Sequence, residues 1–393
     1  MESKMKIRPS RPKPTVQVTP LRPKNILFTP EEENELTDYI IELQKIVFRL
    51  TINDVIVIAK QLAEKYNKKL PIRTNAIMAE RLWVLDLMKR YPKINLQIPD
   101  INSKCGCFNM AELDYFYKTL SEAYDVKKIT PNRIYNTDFI KICIGENNTY
   151  IINRTRNKEH SVFLSNIITV KVCFNAEGNY MPSIISPQKN SPDLTKIRDA
   201  SRIITPNMTP TNELFSQWFR RFIFFSGAKK EQQVLLLFDG KPSYTKSIEI
   251  VKITRDNGVN IVSFPPCTEN KVQPIDEIFI NDLSKAYEKV VETWLELNPK
   301  SKLTAKQGAD LFDKTLSEEA AAVAAIEAFK RCGIYPLKTD LFTESDFIPV
   351  VTKVEIIKEK TPPPMKKNYK TFSSNRYYDL YYNPRPGCSF WPD

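Results

Sequence analysis

The sequence predicts a mixed α/β protein with a small helical part ahead of a larger sheet-bearing part. Three observations predict it. Between residues 28 and 90, helix-start signals precede apolar residues at helical spacing. From Arg133 onward, β-rich runs come first and then alternate with helical patterns, the order expected of a mixed sheet covered by helices. The stretch Val234–Phe279 then delivers two aspartates at the ends of neighbouring elements: VLLLFDG carries Asp239, and QPIDEIF places Asp276 in the opening turn of a helix, with 36 residues between them.

The elements follow in order. Residues 1–27 hold five prolines and seven basic residues against one acid, so they cannot bury enough apolar area to fold and read as a basic arm. Thr29, Pro30 and Glu32 form a helix start, followed by Leu36, Tyr39, Ile40, Leu43 and Ile46 at helical spacing. Thr51 with Asp54 opens a second helix to about Tyr66, with Ala59, Leu62 and Ala63 inward. A third helix is expected from about Asn75 to Arg90, with Met78, Leu82, Leu85 and Leu87 inward. Basic residues surround it: Lys68, Lys69, Arg73, Arg81, Lys89 and Arg90. Three short helices with this charge suit a helix-turn-helix over residues 28–100; a plain three-helix bundle with solvated charges fits the same pattern.

Residues 101–128 read as a linker with a helix over Asn109–Tyr124, and residues 129–345 as the sheet domain. Its first strand, RIYNTDFIKICI, carries Asp138. A hairpin follows with its turn at Asn175–Asn179, then a loop over 186–211 and an amphipathic helix over Asn212–Phe225. Next come the Asp239 strand, a helix near Lys246–Asn257, a strand closing at Pro265, a helix from about Pro274 to Leu297, and a helical pair over Thr304–Lys330. Residues 346–393 read as a second unfolded tail, with aromatics set among prolines without periodicity.

Composition narrows the function. A net charge of +12 in 393 residues favours an anionic partner, most often nucleic acid. The single histidine, His160, and seven scattered cysteines without a CxxC pair argue against a zinc site. No apolar run reaches a membrane span and no secretory signal opens the chain, so a soluble intracellular protein is expected. Asp239 and Asp276 have ordinary readings, as a strand-end turn and a helix-start residue. Together with Asp138 they also have a chemical one, because gathered carboxylates can hold Mg²⁺.

At this point the residues resemble a known family. Phe28–Glu33, the third-helix segment Trp83 to Pro92, the segment Asn95 to Asn109 and IYNTD (Ile134 to Asp138) are similar to segments of the pogo/Tigger/Jerky group of transposase-derived proteins, related to centromere protein B. So are Thr169 to Ile185, NELFSQWFRRF, LLLFDG, SFPPCTENKVQPID and CGIYPL, all in the family's order over roughly residues 28–340. The resemblance implies a helix-turn-helix followed by an RNase H-like domain of the DDE superfamily, with Asp138, Asp239 and Asp276 holding two Mg²⁺ or Mn²⁺ ions for DNA cleavage and joining. It implies Lys68, Lys69, Arg73, Lys89 and Arg90 at DNA phosphates, Asn75 and Arg81 at base edges, and a nuclear protein. The expected partners are double-stranded DNA and a second copy of the chain, with no membrane and no small-molecule substrate.

The sequence also departs from that family. Phe139 follows Asp138 where an acid is usual, and Lys241, Tyr244, Cys267, Glu269 and Asn270 replace polar and histidine neighbours. The first of the family's two N-terminal DNA-binding modules has no counterpart. These departures favour a domesticated DNA-binding protein with weakened or lost nuclease activity over an active metal-dependent endonuclease. An interaction module without DNA binding is the third alternative.

Overall fold

The computed structural model describes residues 28–47, 50–68, 76–96, 110–145, 148, 150–154, 166–187, 203–204, 212–240, 245–265, 268 and 271–347. The basic arm, the tail beyond residue 347 and most of the 186–211 segment lie outside these.

Helix α1 (Pro30–Ile46) and helix α2 (Ile52–Lys65) begin as the sequence predicts. Thr29 and Glu32 form one capping box, Thr51 and Asp54 another, so each helix satisfies two of its free N–H groups locally. Helix α3 (Ala76–Arg90) completes the unit. Its inward face differs from the expected one in part: Leu87 is fully buried and Leu85 packs on the core as expected, but Leu82 is 59% exposed and Val84 is fully buried in its stead. Trp83 packs its ring 6.0 Å from that of Phe28, and this contact sets the helix rotation.

Helix α4 (Met110–Lys127) is longer than expected and serves as more than a linker. Leu113, Phe116, Tyr117 and Leu120 enter the main core of the sheet domain. The Tyr117 hydroxyl donates to the Cys332 carbonyl at 2.7 Å, and that of Tyr124 to Ile334 at 2.8 Å.

Among the described residues the sheet has seven strands: β1 (Ile134–Ile144), β2 (Tyr150–Arg154), β3 (Asn166–Asn175), β4 (Ile184–Pro187), β5 (Ile203–Ile204), β6 (Val234–Phe238) and β7 (Val259–Ser263). The main order is β5-β4-β3-β1-β6-β7, with β2 paired to β1. Strand β1 runs antiparallel to β3 on one side. On the other it is parallel to β6, which is parallel to β7. An antiparallel half joined at β1 to a parallel half is the RNase H-like arrangement, and it gives the mixed α/β class that the sequence predicts. Strands β2 and β5 were not expected.

Helices cover both faces. Helix α5 (Asn212–Ser226) and helix α6 (Ile248–Asn257) pack against one face through Trp218, Phe219, Phe222 and Ile250. Helices α7 (Glu277–Leu297), α8 (Ala305–Leu316) and α9 (Glu319–Arg331), with α4, cover the other. The helical unit is built onto the sheet domain, since Ile248 and Val251 of α6 belong to the core of α1–α3. Lys246 pairs with Asp54 at 2.9 Å across this junction, both side chains 7% exposed, and the Ile248 N–H donates to Gln61 at 3.1 Å.

Candidate functional site

Strand alternation puts all three aspartates on one face. Ile134, Ile140 and Ile142 of β1 point into the core beneath α7, so Asp138 shares their side of the sheet. Leu235 and Leu237 point the same way, and Asp239, one residue past β6, continues their parity. Asp276 caps α7, which lies over that face.

The register of β1 explains why Asp138 is accessible. Strand β6 pairs with β1 only over residues 134–136, and β2 takes over only at Ile140. Between these two partners β1 has a neighbour on the β3 side alone, and Asp138 sits in the gap, half-buried. Asn136 shapes that gap. Its fully buried amide donates to the Leu237 carbonyl at 3.1 Å and accepts from the Ile275 N–H at 3.1 Å. One side chain thus ties β1, the end of β6 and the segment leading to Asp276.

Each carboxylate has donors supplied by the protein. Asp138 accepts from its neighbour's N–H, that of Phe139, and from the Gln273 amide, both at 2.8 Å. Asp276 opens the first turn of α7 as its N-cap, at the helix start where the sequence placed it, and accepts from the Phe279 N–H at 2.7 Å. Arg331, at the end of α9, lies 3.5 Å from the same Asp276 oxygen. Asp239 is half-buried and is followed by Gly240, where an added Cβ would come within 2.8 Å of the Ser263 side chain and 3.0 Å of Val47. The close approach of α1's end to the Asp-Gly turn therefore requires glycine there.

Beneath the sheet, Lys171 of β3 is 5% exposed and packed among aromatic rings. Its ammonium lies 4.4 Å from the ring centres of Phe139 and Trp218 and 5.3 Å from that of Phe215. Burial pulls its pKa down to about 8, with the charge of Asp138 acting in the opposite sense.

Three aspartates are the right donor chemistry for Mg²⁺ or Mn²⁺. Their arrangement does not fit a two-ion site. Among the described residues no group of three or more His, Cys, Asp or Glu side chains is placed to hold a metal. Asp276 is 5% exposed and faces a guanidinium, and both Asp138 oxygens already accept protein hydrogen bonds. Lys241, Tyr244, Cys267, Glu269 and Asn270 lie outside the described residues.

The candidate DNA-contacting residues divide into three groups. Lys69, Arg73 and Asn75 lie outside the described residues. Lys68 is ion-paired with Glu32, and Arg90 with Glu33 and with Asp86 at 3.2 Å, so both help hold the helical unit together. Lys89 is exposed and Arg81 half-buried on α3. Sequence reasoning missed Asn136, Lys171, Gln273 and Arg331. Asn136 and Gln273 stand within the very motifs, IYNTD and QPID, that drew attention to the aspartates. Arg331 reaches Asp276 from 55 residues away, which no local pattern reveals.

The chain is 22% identical over 166 residues to the MFS-type transporter clz9 of Cochliobolus lunatus, a match covering 42% of this chain and 18% of that protein. The chain thus spans about a fifth of the length of the curated relative it matches. No helix among the described residues is long and apolar enough to cross a membrane. Among solved structures, the Mos1 transposase paired-end complex with left transposon end is 14% identical, with a TM-score of 0.31, over 77% of this chain and 82% of that one. The Mos1 transposase catalytic domain with raltegravir and Mg is 11% identical, with a TM-score of 0.35, over 58% of this chain and 95% of that one. Residues 168–329, a span that holds Asp239 and Asp276 and begins after Asp138, match the family described as DDE superfamily endonuclease.

Proposed function

We propose that this chain is a nuclear DNA-binding protein built on a DDE transposase framework, with its nuclease activity weakened or lost. The family match over residues 168–329 supports the ancestry. The observation that carries the loss of catalysis is the state of Asp276: buried, used as a helix cap and opposed by Arg331. A carboxylate committed in this way is a poor ligand for a divalent ion. The net charge of +12 supports DNA as the partner. Lys89 and Arg81 on α3, with Lys69, Arg73 and Asn75, are the residues proposed to meet DNA, and Arg81 suits a guanine edge.

Fluorescence anisotropy with short duplexes tests the reading. Affinity is expected to fall at least about a hundredfold between ~50 and ~200 mM salt, as phosphate contacts require. Salt-independent binding, or none, would contradict it. Arg81→Ala is expected to relax preference at one base pair by about 1–3 kcal/mol; an equal loss on every sequence would remove Arg81 from base reading.

A further inference from the structure

We propose that Arg331 is the resident cation of the carboxylate edge, balancing Asp276 in place of a divalent ion and excluding one from it. The inference rests on the reading that catalysis is weakened or lost, and it assigns that loss to a particular side chain.

An ionised carboxylate as buried as Asp276 needs compensation. Three sources among the described residues supply it. The Phe279 N–H donates to Oδ1 at 2.7 Å. The N-terminus of α7, 21 residues long, adds its partial positive charge. The Arg331 guanidinium, 3.5 Å from the same oxygen, adds a full one. Arg331 is itself steered from the other side by Asp282 of α7 at 3.8 Å. Its Nε is buried with no hydrogen-bond partner among the described residues, so charge, more than hydrogen bonding, holds the group at the edge. Arg331 ends α9, which packs on α7, so its backbone is fixed with respect to the cap. A divalent ion bound to Asp276 would meet this guanidinium within a few ångströms and be repelled in a site poorly screened by water. The Asp138 side is similarly provided for, by the Gln273 amide and the Lys171 charge behind the sheet.

The test is titration of Mn²⁺ into the full chain, followed by the electron paramagnetic resonance signal of the free ion. The native protein is expected to show no saturable site tighter than about 1 mM, and Asp276→Asn is expected to change nothing. Arg331→Met, matched for fold by circular dichroism, is expected to gain a site at least about tenfold tighter, and adding Asp276→Asn is expected to abolish the gain. Saturable binding by the native protein that Asp276→Asn removes would overturn the proposal, and this comparison stands even where Arg331→Met fails to fold. A folded Arg331→Met that binds Mn²⁺ no better than the native chain would also overturn it. DNA affinity measured on the same samples separates the two readings: native protein without DNA binding fails the proposed function, whatever the Mn²⁺ titration shows.

Discussion

Asn136 is fully buried, and both ends of its amide are used, one on Leu237 and one on Ile275. Replacing it with Ala leaves a carbonyl and an N–H without partners inside the protein. Asn136→Ala is expected to cost about 2–4 kcal/mol in urea unfolding; a cost below about 0.5 kcal/mol would show the clamp is absent in solution. Lys171 makes the opposite prediction. Its folded pKa, about 8, lies below the ordinary 10.5, so between those values the native state holds fewer protons than the unfolded state. Stability through this group therefore rises with pH across that window, and below it the full cost of burying the charge is present. Lys171→Met should be more stable than the native protein at pH 7, by up to ~3 kcal/mol, and its lead should shrink as pH climbs past about 8. Cys173, whose thiol burial pushes up to about 12 against the opposing charge of Lys171, acts in the other direction above its ordinary value of 9.0, so the comparison is read between pH 7 and 9. A lead that stays constant with pH would contradict the assignment. The three aspartates were legible in the sequence because each ends or interrupts an apolar run. The residues that engage them were less so, because Arg331 and Lys171 acquire their meaning only from chain brought in from far away.

The helix starts of α1 and α2 were fully legible, since a capping box is a local device whose two partners lie three residues apart. The rotation of α3 was not, because the choice between Leu82 and Val84 is made by Phe28 and Trp83 across the bundle. Strand β5, two residues long, was hidden for a similar reason: it is defined by its pairing with β4. The junction between the helical unit and α6 is likewise a tertiary fact. There Lys246 and Asp54 are buried together, and Asp54 also serves the α2 capping box. Lys246→Met strands that carboxylate and is expected to cost about 3–5 kcal/mol, with Asp54→Asn in the same background restoring part of it. Chemical denaturation measures both; a loss under about 1 kcal/mol would mean the pair is solvated and the two parts are separable.

At the scale of the whole molecule, the helical unit is mounted on the sheet domain through α6, and the end of α1 touches the turn that carries Asp239. The β1–β6 edge carries Asp138 and Asp239, and there Gln273 donates to Asp138 while Arg331 faces Asp276. What remains is a basic protein with a helical unit held in a fixed relation to a sheet domain that carries no assembled metal cluster among its described residues. The most direct test incubates the purified protein with a randomised duplex pool, with Mn²⁺ and with EDTA. Enrichment of a sequence motif under both conditions, with the DNA left intact, is the predicted result. Strand nicking that requires Mn²⁺ and disappears in Asp239→Asn would contradict the account and establish a working nuclease.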